Sequence, residues 1–293
     1  MRIIAFLIPV YNDWESLTKL LKKIDIVIND FKNCKFNLYI VNDASDIKAP
    51  ENFELKNFQI FKILNMKENR GHARCNAFGL RFLNENIKKE TFDNLIVMDS
   101  DGEDRPEELN ELIKKSLEEK NKSIVAKRVK RSEGFFFQML YKIHKLLTFI
   151  FTGKNINFGN YSCLIKKDVA LISNQKSLWS SFSGTIKKNL PEYNEIDSIR
   201  GLRYFGPSKM SLFNLLIHSF SIIAVFKEIV LFRSVIFFIL LFFLGLFLQS
   251  LQIILQLLII IFNLIIFITS LRENERELTN SHLNLESINV ITN

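Results

Sequence analysis

Asp99 and Asp101 stand at the end of residues 95–107, LIVMDSDGEDRPE, where an apolar run stops abruptly at two acids and is followed by further acids and a proline. Side chains of an extended strand repeat every second residue, so the two carboxylates share one side, their Cα atoms about 6.6 Å apart. Hard oxygen donors at a strand tip suit Mg²⁺ or Mn²⁺, ions that keep positions open for the oxygens of a diphosphate. An isolated Asp-x-Asp more often belongs to a solvated acidic turn, because turns favour Asp. The surrounding chain decides between the two.

Over the first hundred or so residues, short β-rich runs at 3–10, 36–41, 59–64, 95–98 and 123–126 alternate with helical patterns at 14–28, 72–86 and 106–119. This alternation predicts an α/β fold around a parallel sheet, with ligands bound beyond the carboxyl ends of the strands. The last helix carries Pro106 and acids in its first turn, as helix N-termini prefer. Neither G-x-G-x-x-G nor G-x-x-x-x-G-K-[ST] occurs, so dinucleotide oxidoreductase and P-loop chemistry are unsupported.

Four segments in order, IPVYND at 8–13, VNDASD at 41–46, NRGHAR at 69–74 and DSDGED at 99–104 with Pro106, resemble the family 2 glycosyltransferases over about residues 1–210. The resemblance implies a GT-A fold, a Rossmann-like sheet that binds a nucleotide-sugar. Carried over residue by residue, Pro9, Tyr11 and Asp13 line the base and ribose, Asp13 replacing the usual Glu. Asp43 recognises the nucleobase, with Asn42 and Ala44 departing from the usual Asp and Gly, and Asn69, Arg70 and Gly71 form the nucleotide loop. Asp99 and Asp101 link the diphosphate, directly or through Mg²⁺ or Mn²⁺, and Asp101 carries catalysis by stabilising the leaving diphosphate.

Two later stretches resemble the polyprenyl-phosphate branch, exemplified by dolichyl-phosphate mannose synthase. In KRVKR at 127–131, Arg128 and Arg131 match the catalytic basic pair near the acceptor phosphate, a role suited to the bidentate guanidinium, although a solvated basic turn has the same composition. In RYFGPSKMS at 203–211, Arg203 and Lys209 match a phosphate-binding loop, with Pro207 where Lys or Glu is more usual. NFGNYSC at 157–163 departs from the Asp-rich acceptor element of that branch.

The 293 residues carry a formal net charge of +8 and are 48% hydrophobic, unevenly placed. Residues 234–271 contain no charge and are dominated by Leu, Ile and Phe, nearly twice the roughly 20 residues one membrane span needs. The polar patch at 249–252 divides them into two spans, 231–248 and 251–270. Lys227 and Arg233 before the run, with Arg272 and Arg276 after it, put both ends on the cytoplasmic side, although Glu273, Glu275 and Glu277 dilute the second signal. Residues 212–226 read as an interfacial helix on which His218 is polar trim, and 135–151 as an apolar helix facing either membrane or core.

The expected organisation is a glycosyltransferase domain at 1–209, an amphipathic interface helix at 210–230, a transmembrane hairpin at 231–271 and a polar cytoplasmic tail at 272–293. The N-terminal apolar run is too short for a signal peptide and is broken by Pro9, and Cys34, Cys75 and Cys163 suggest neither disulfides nor a metal site. No nucleic-acid signature accompanies the positive charge. The partners expected are a nucleotide-diphosphate sugar, a lipid-phosphate or lipid-linked acceptor, and the cell membrane, with the catalytic domain and both termini cytoplasmic. Hairpin faces rich in Leu and Phe suit either lipid or a second subunit, which leaves a homo-oligomer open.

The resulting reading is an inverting transfer of sugar to polyprenyl phosphate, whose ionised phosphate is its own nucleophile. Transfer to a sugar hydroxyl would need a base, for which Glu192, Glu195 and Asp197 are the candidates. A non-catalytic nucleotide-sugar sensor is the remaining alternative.

Overall fold

Runs of consecutive apolar residues, rather than alternating ones, are what strands need when helices cover both faces of their sheet. The computed structural model describes residues 1–130, 135–207, 211–244 and 249–291, and in it β1 (Arg2–Val10) is buried continuously from Ile4 to Val10. The strands β2 (Cys34–Asn42), β3 (Phe58–Met66), β4 (Asn94–Val97), β5 (Ile124–Lys130), β6 (Phe158–Ile165), β7 (Asn194–Ile199) and β8 (Leu285–Val290) complete, among the described residues, an eight-stranded sheet ordered β7-β5-β6-β4-β1-β2-β3-β8. The four strands β1 to β4 are parallel, as expected. The sheet as a whole is mixed, because β6 runs antiparallel to β4 and β5, and β8 antiparallel to β3.

Helices α1 (Trp14–Ile28) and α3 (Leu109–Glu118) cover one face; their Leu17, Leu20, Leu21, Leu112 and Ile113 interlock with Phe6, Ile8, Leu38 and Ile96. Helix α2 (His72–Glu85), together with α5 (Lys166–Ile172) and α6 (Phe182–Asn189), covers the other through Phe78, Leu80, Val169 and Ile186. Pro106–Glu108 form one 3₁₀ turn ahead of α3, so the helix expected from 106 begins as a tighter turn. Between β5 and β6 lies α4 (Phe135–Thr152), which answers both alternatives raised for it. Phe151 is buried, while Met139, Ile143, Leu146 and Phe149 form an exposed apolar stripe.

After β7 come α7 (Leu212–Ala224), α8 (Lys227–Leu244) and α9 (Gln249–Ser270). The polar patch at 249–252 lies inside the first turn of α9 rather than between two helices. Lengths follow from a rise of about 1.5 Å per residue: about 27 Å for α8 and about 33 Å for α9. Among the described residues α9 alone is long and apolar enough to cross a membrane by length and composition, since α8 carries Lys227, Glu228 and Arg233 near its start. Asn263 Nδ2 donates to Ser234 Oγ at 2.8 Å and Gln256 Nε2 to the Phe238 carbonyl at 3.2 Å, joining the two helices. At their base Lys227 Nζ lies 3.5 Å from Ser270 Oγ and 3.8 Å from Glu273.

The chain then returns to the eight-stranded sheet. Residues 272–293, expected to form a polar tail, contain α10 (Glu275–Thr279) and β8 instead. Asn274 caps α10, Glu277 accepts the Trp179 indole N–H at 2.8 Å, and Leu278 is buried in the core under α2. Short charged segments look like tails in a sequence because edge strands are weakly apolar; only the partner strand β3 reveals this one.

Gly79 in α2 sits where an added Cβ would come within 2.4 Å of Leu7 Cδ1. Gly79→Val is therefore expected to push α2 off β1 and to destabilise the protein by about 1–3 kcal/mol, read as a lower midpoint in denaturant or thermal unfolding of the detergent-solubilised chain.

Candidate active site

The carboxyl ends of β1, β2 and β4 lie side by side, with Val10 opposite Asn42 and Leu7 opposite Val97. The loops that leave β1 and β2 are knitted together. Asn12, at φ 50°, donates its N–H to Ser45 Oγ and accepts the Ile47 N–H on Oδ1, and Trp14 donates its indole N–H to the Ile47 carbonyl. Ala44 also has a left-handed backbone, φ 54°, the conformation for which the more usual Gly is suited.

Beyond β4 the chain folds into an acidic turn. Asp99 N–H donates to Asp104 Oδ2 at 2.9 Å, and Glu103 N–H to Asp101 Oδ1 at 3.0 Å, so the turn is held by its own acids. The loop after β7 closes over it: Gly201 N–H donates to the Glu103 carbonyl at 2.8 Å and Tyr204 N–H to the Asp101 carbonyl at 3.0 Å. A Cβ on Gly102, at φ 86°, would meet the Tyr204 ring at 2.5 Å, so glycine is required there by both backbone and space.

Arginines from distant segments supply the balancing charge. Arg203 reaches Asp101 Oδ2 with Nη1 at 2.7 Å and Asp13 Oδ2 with Nη2 at 2.5 Å, bridging the tips of β4 and β1. Arg200 pairs with Glu103. Arg128 lies over Gly159, where a Cβ would fall 2.5 Å from its Nη2, with that nitrogen 4.0 Å from Asp104 Oδ1. From β6, Asn160 Nδ2 donates to Asp99 Oδ1 at 2.9 Å.

These surroundings divide the acids. Burial, then the neighbouring Asp99 charge, raises Asp101 above the ordinary carboxylate range, and the same pair of causes lifts Asp104 to about 7. Glu103 is raised chiefly by burial. Burial is also the strongest influence on Asp99, but the fields of His72, Arg128 and Arg200 and the Asn160 hydrogen bond outweigh it together and keep this carboxyl below its usual value.

Among the described residues no group of three His, Cys, Asp or Glu is disposed to hold a metal ion. A pair of carboxylates nevertheless suits Mg²⁺ or Mn²⁺, which take one or two protein carboxylates and complete their shell with water and substrate phosphate. The Arg203 guanidinium on Asp101 shows that this position accepts a cation.

Of the residues singled out from the sequence, Asp13, Asp99, Asp101, Arg128 and Arg203 converge on this turn. Asp43, Arg70 and Gly71 form a second unit: buried Asp43 accepts the Arg70 N–H on Oδ1 and the Gly71 N–H on Oδ2, each at 2.8 Å, fixing the loop that starts α2. Pro9 is buried within β1, Tyr11 is 40% exposed at its tip, and Asn69 and Arg70 are exposed, the latter paired with Glu68 at 2.8 Å. Arg131 and Lys209 lie outside the described residues. Asn160, Arg200 and His72 were not singled out; no motif spacing marks them, and only β6, the loop after β7 and the start of α2 bring them to the acids.

The family model described as Glycosyl transferase family 2 matches residues 5–180. The chain is 25% identical over 221 residues to the undecaprenyl-phosphate 4-deoxy-4-formamido-L-arabinose transferase of Photorhabdus laumondii, and 25% identical over 226 residues to the protein of that name in Proteus mirabilis. Each alignment covers 73% of this chain and 64% of the relative, so the chain spans somewhat less than two thirds of the length of these curated relatives. Mannosyl-3-phosphoglycerate synthase from Rubrobacter xylanophilus shares the fold, with a TM-score of 0.53 at 11% identity over 76% of this chain and 72% of that one.

Asp43→Asn would turn an amide N–H₂ toward a backbone N–H and leave that donor without its acceptor. The expected cost is about 1–3 kcal/mol of stability, checked by chemical denaturation.

Proposed function

Starting from a chain that belongs to glycosyl transferase family 2, we propose a membrane-associated inverting transferase that moves a sugar from a nucleotide-diphosphate donor to a polyprenyl phosphate at the cytosolic leaflet. The observation that carries this reading is the placing of Arg128 at the acidic turn while the carboxylates considered as bases lie elsewhere. Glu195 and Asp197 are on exposed positions of the edge strand β7, Glu195 paired with Lys127 at 3.5 Å, and exposed Glu192 pairs with Lys122 at 2.7 Å. An acceptor phosphate needs no such base, because a phosphate monoester with a second pKa of about 6 is already mostly ionised at neutral pH. The named activity of the curated relatives supports the same acceptor class.

In this mechanism Asp43 and the loop it fixes position the nucleoside, and Asp99 and Asp101 would hold Mg²⁺ or Mn²⁺. When bound, that ion supplies charge stabilisation to the departing diphosphate. Arg128 orients the acceptor phosphate oxygens through paired N–H donors for attack opposite the leaving group. Arg203, paired with Asp101 and Asp13, is the second cation at the turn and would offer its guanidinium to the diphosphate oxygens. Asn160 holds Asp99 without adding charge, which keeps the turn intact between turnovers.

We assign α8 and α9 to the membrane as a hairpin, with 1–209 as the catalytic unit and 210–230 as its interfacial support. The two helices match a hydrocarbon core of about 30 Å, and their exposed residues are almost wholly Leu, Ile, Val and Phe. Because α10 and β8 rejoin the sheet, both ends of the hairpin belong on the catalytic side.

Asp101→Asn is expected to lower transfer to polyprenyl phosphate at least about a hundredfold, measured with purified protein, Mn²⁺ and a panel of UDP- and GDP-sugars. Product formed only on a lipid-linked sugar would move the acceptor to a hydroxyl, and absence of both transfer and donor hydrolysis with every donor would leave a sensor. For topology, Ser250→Cys should react with a membrane-impermeant maleimide in intact cells and Glu286→Cys only after lysis, against a background kept low by the burial of Cys34, Cys75 and Cys163. Labelling of Glu286→Cys in intact cells would overturn the hairpin.

A further inference from the structure

Two histidines on separate elements meet beside the acidic turn, and the mechanism above uses neither. His72 opens α2 immediately after Gly71, the N-cap at φ 87°. His218 lies midway along α7, and the two ring centroids are 5.5 Å apart with planes inclined by 55°. On α7, His218 shares a helical stripe with Ser221, Ile222 and Val225, all of them buried, whereas Phe213 and Leu216 on the other side are 71% and 46% exposed. His218 therefore faces the catalytic unit from a helix whose first turns are apolar and exposed on the other side.

The charges around this pair are unbalanced. His72 and Arg128 act electrostatically on Asp99, and His72, Arg128 and His144 act on His218, with Asp99 the opposing acid. Burial first, then the fields of His72, Arg128 and His144, lowers His218 to about 3, so at neutral pH it is an uncharged imidazole with one N–H to donate. Arg128 occupies the space left by the missing side chain of Gly159, and its field reaches both Asp99 and His218. Imidazoles and a guanidinium, next to an acid pair already engaged with Asn160 and Arg203, have the chemistry to receive an anion rather than to bind a cation.

We propose that His72 and His218, together with Arg128, form the pocket that grips the terminal phosphate of the acceptor, with His218 brought to it by the membrane-facing helix. This rests on the acceptor being a phosphate. Two anionic groups could supply that chemistry, the acceptor phosphate and the donor diphosphate, and the geometry favours the first. His72 follows directly on the loop governed by Asp43, so the choice falls to His218, whose helix α7 packs against α9 and α4 on the hairpin side, where a lipid-borne group would enter.

The test uses full-length detergent-solubilised protein with Mn²⁺, varying donor and polyprenyl phosphate separately, and compares His218→Leu, His218→Asn and His72→Gln with the wild type. Losing one hydrogen bond to a charged phosphate corresponds to roughly ten- to a hundredfold. His218→Leu should raise the KM for polyprenyl phosphate by about that factor while leaving the KM for donor and the rate of donor hydrolysis unchanged. His218→Asn, which retains a donor, should recover part of the loss, and the His72→Gln/His218→Leu pair should lose less than the product of the single effects.

Binding of citronellyl phosphate, followed by calorimetry, should weaken in parallel. A rise in donor KM would assign the pair to the diphosphate and overturn the proposal, as would unchanged acceptor KM in a variant that still binds UDP or GDP with Mn²⁺. If the wild type transfers nothing to polyprenyl phosphate, the acceptor class itself falls. If it transfers and the variants match it, only the histidine pocket falls.

Discussion

Crowding of like charge at the tip of β4 is the constraint around which this molecule is organised. Asp99, Asp101, Glu103 and Asp104 occupy one short turn, largely withdrawn from water, and Asp13 joins them from β1. Carboxylates in such a place repel one another and resist ionisation, as the upward shifts of Asp101 and Asp104 record. The fold answers with cations from outside the turn: Arg128 from β5, and Arg200 and Arg203 from the loop after β7. A site prepared to hold a divalent ion with a diphosphate has the same requirement, so the charge pattern serves stability in one state and binding in the other.

This arrangement ties the long apolar helices to the acidic turn. Arg200 and Arg203 stand between β7 and α7 in the chain, and α7 carries His218 to the start of α2. Helices α8 and α9 are joined at their base by Lys227 with Ser270 and Glu273, and the chain then re-enters the sheet as β8. Arg233 adds a further tie by donating to the Ile150 carbonyl at the C-terminal end of α4, where helix carbonyls lack intrahelical partners. The sheet is thus tied to the apolar helices both before α8 and after α9, which favours a fixed orientation of the acidic turn relative to the apolar surface.

Much of the parallel core was legible because a doubly covered strand must be apolar throughout and its helices must show a 3.6-residue stripe. β1 to β4 and α1 to α3 fall within a few residues of their expected positions for that reason. The acidic turn was equally legible, since four acids after a buried strand have few structural uses. β6, β7 and β8 were not, because they are short strands in which Asn, Ser, Glu and Asp interrupt the pattern. Their pairing comes from partners far along the chain. A mixed sheet consequently replaced the wholly parallel one, and a terminal strand replaced the polar tail.

By itself the sequence determined the sheet's parallel core, the location of the carboxylate pair and the presence of a long uncharged apolar segment, all consequences of local composition and period. Tertiary structure alone decided which groups neutralise and orient those carboxylates. Asn160, Arg200, Arg203 and His72 come from segments separated from Asp99 by tens to more than a hundred residues, and no local propensity encodes their approach. Electrostatic interaction depends on distance through space and on burial, and both exist only after the chain has closed on itself.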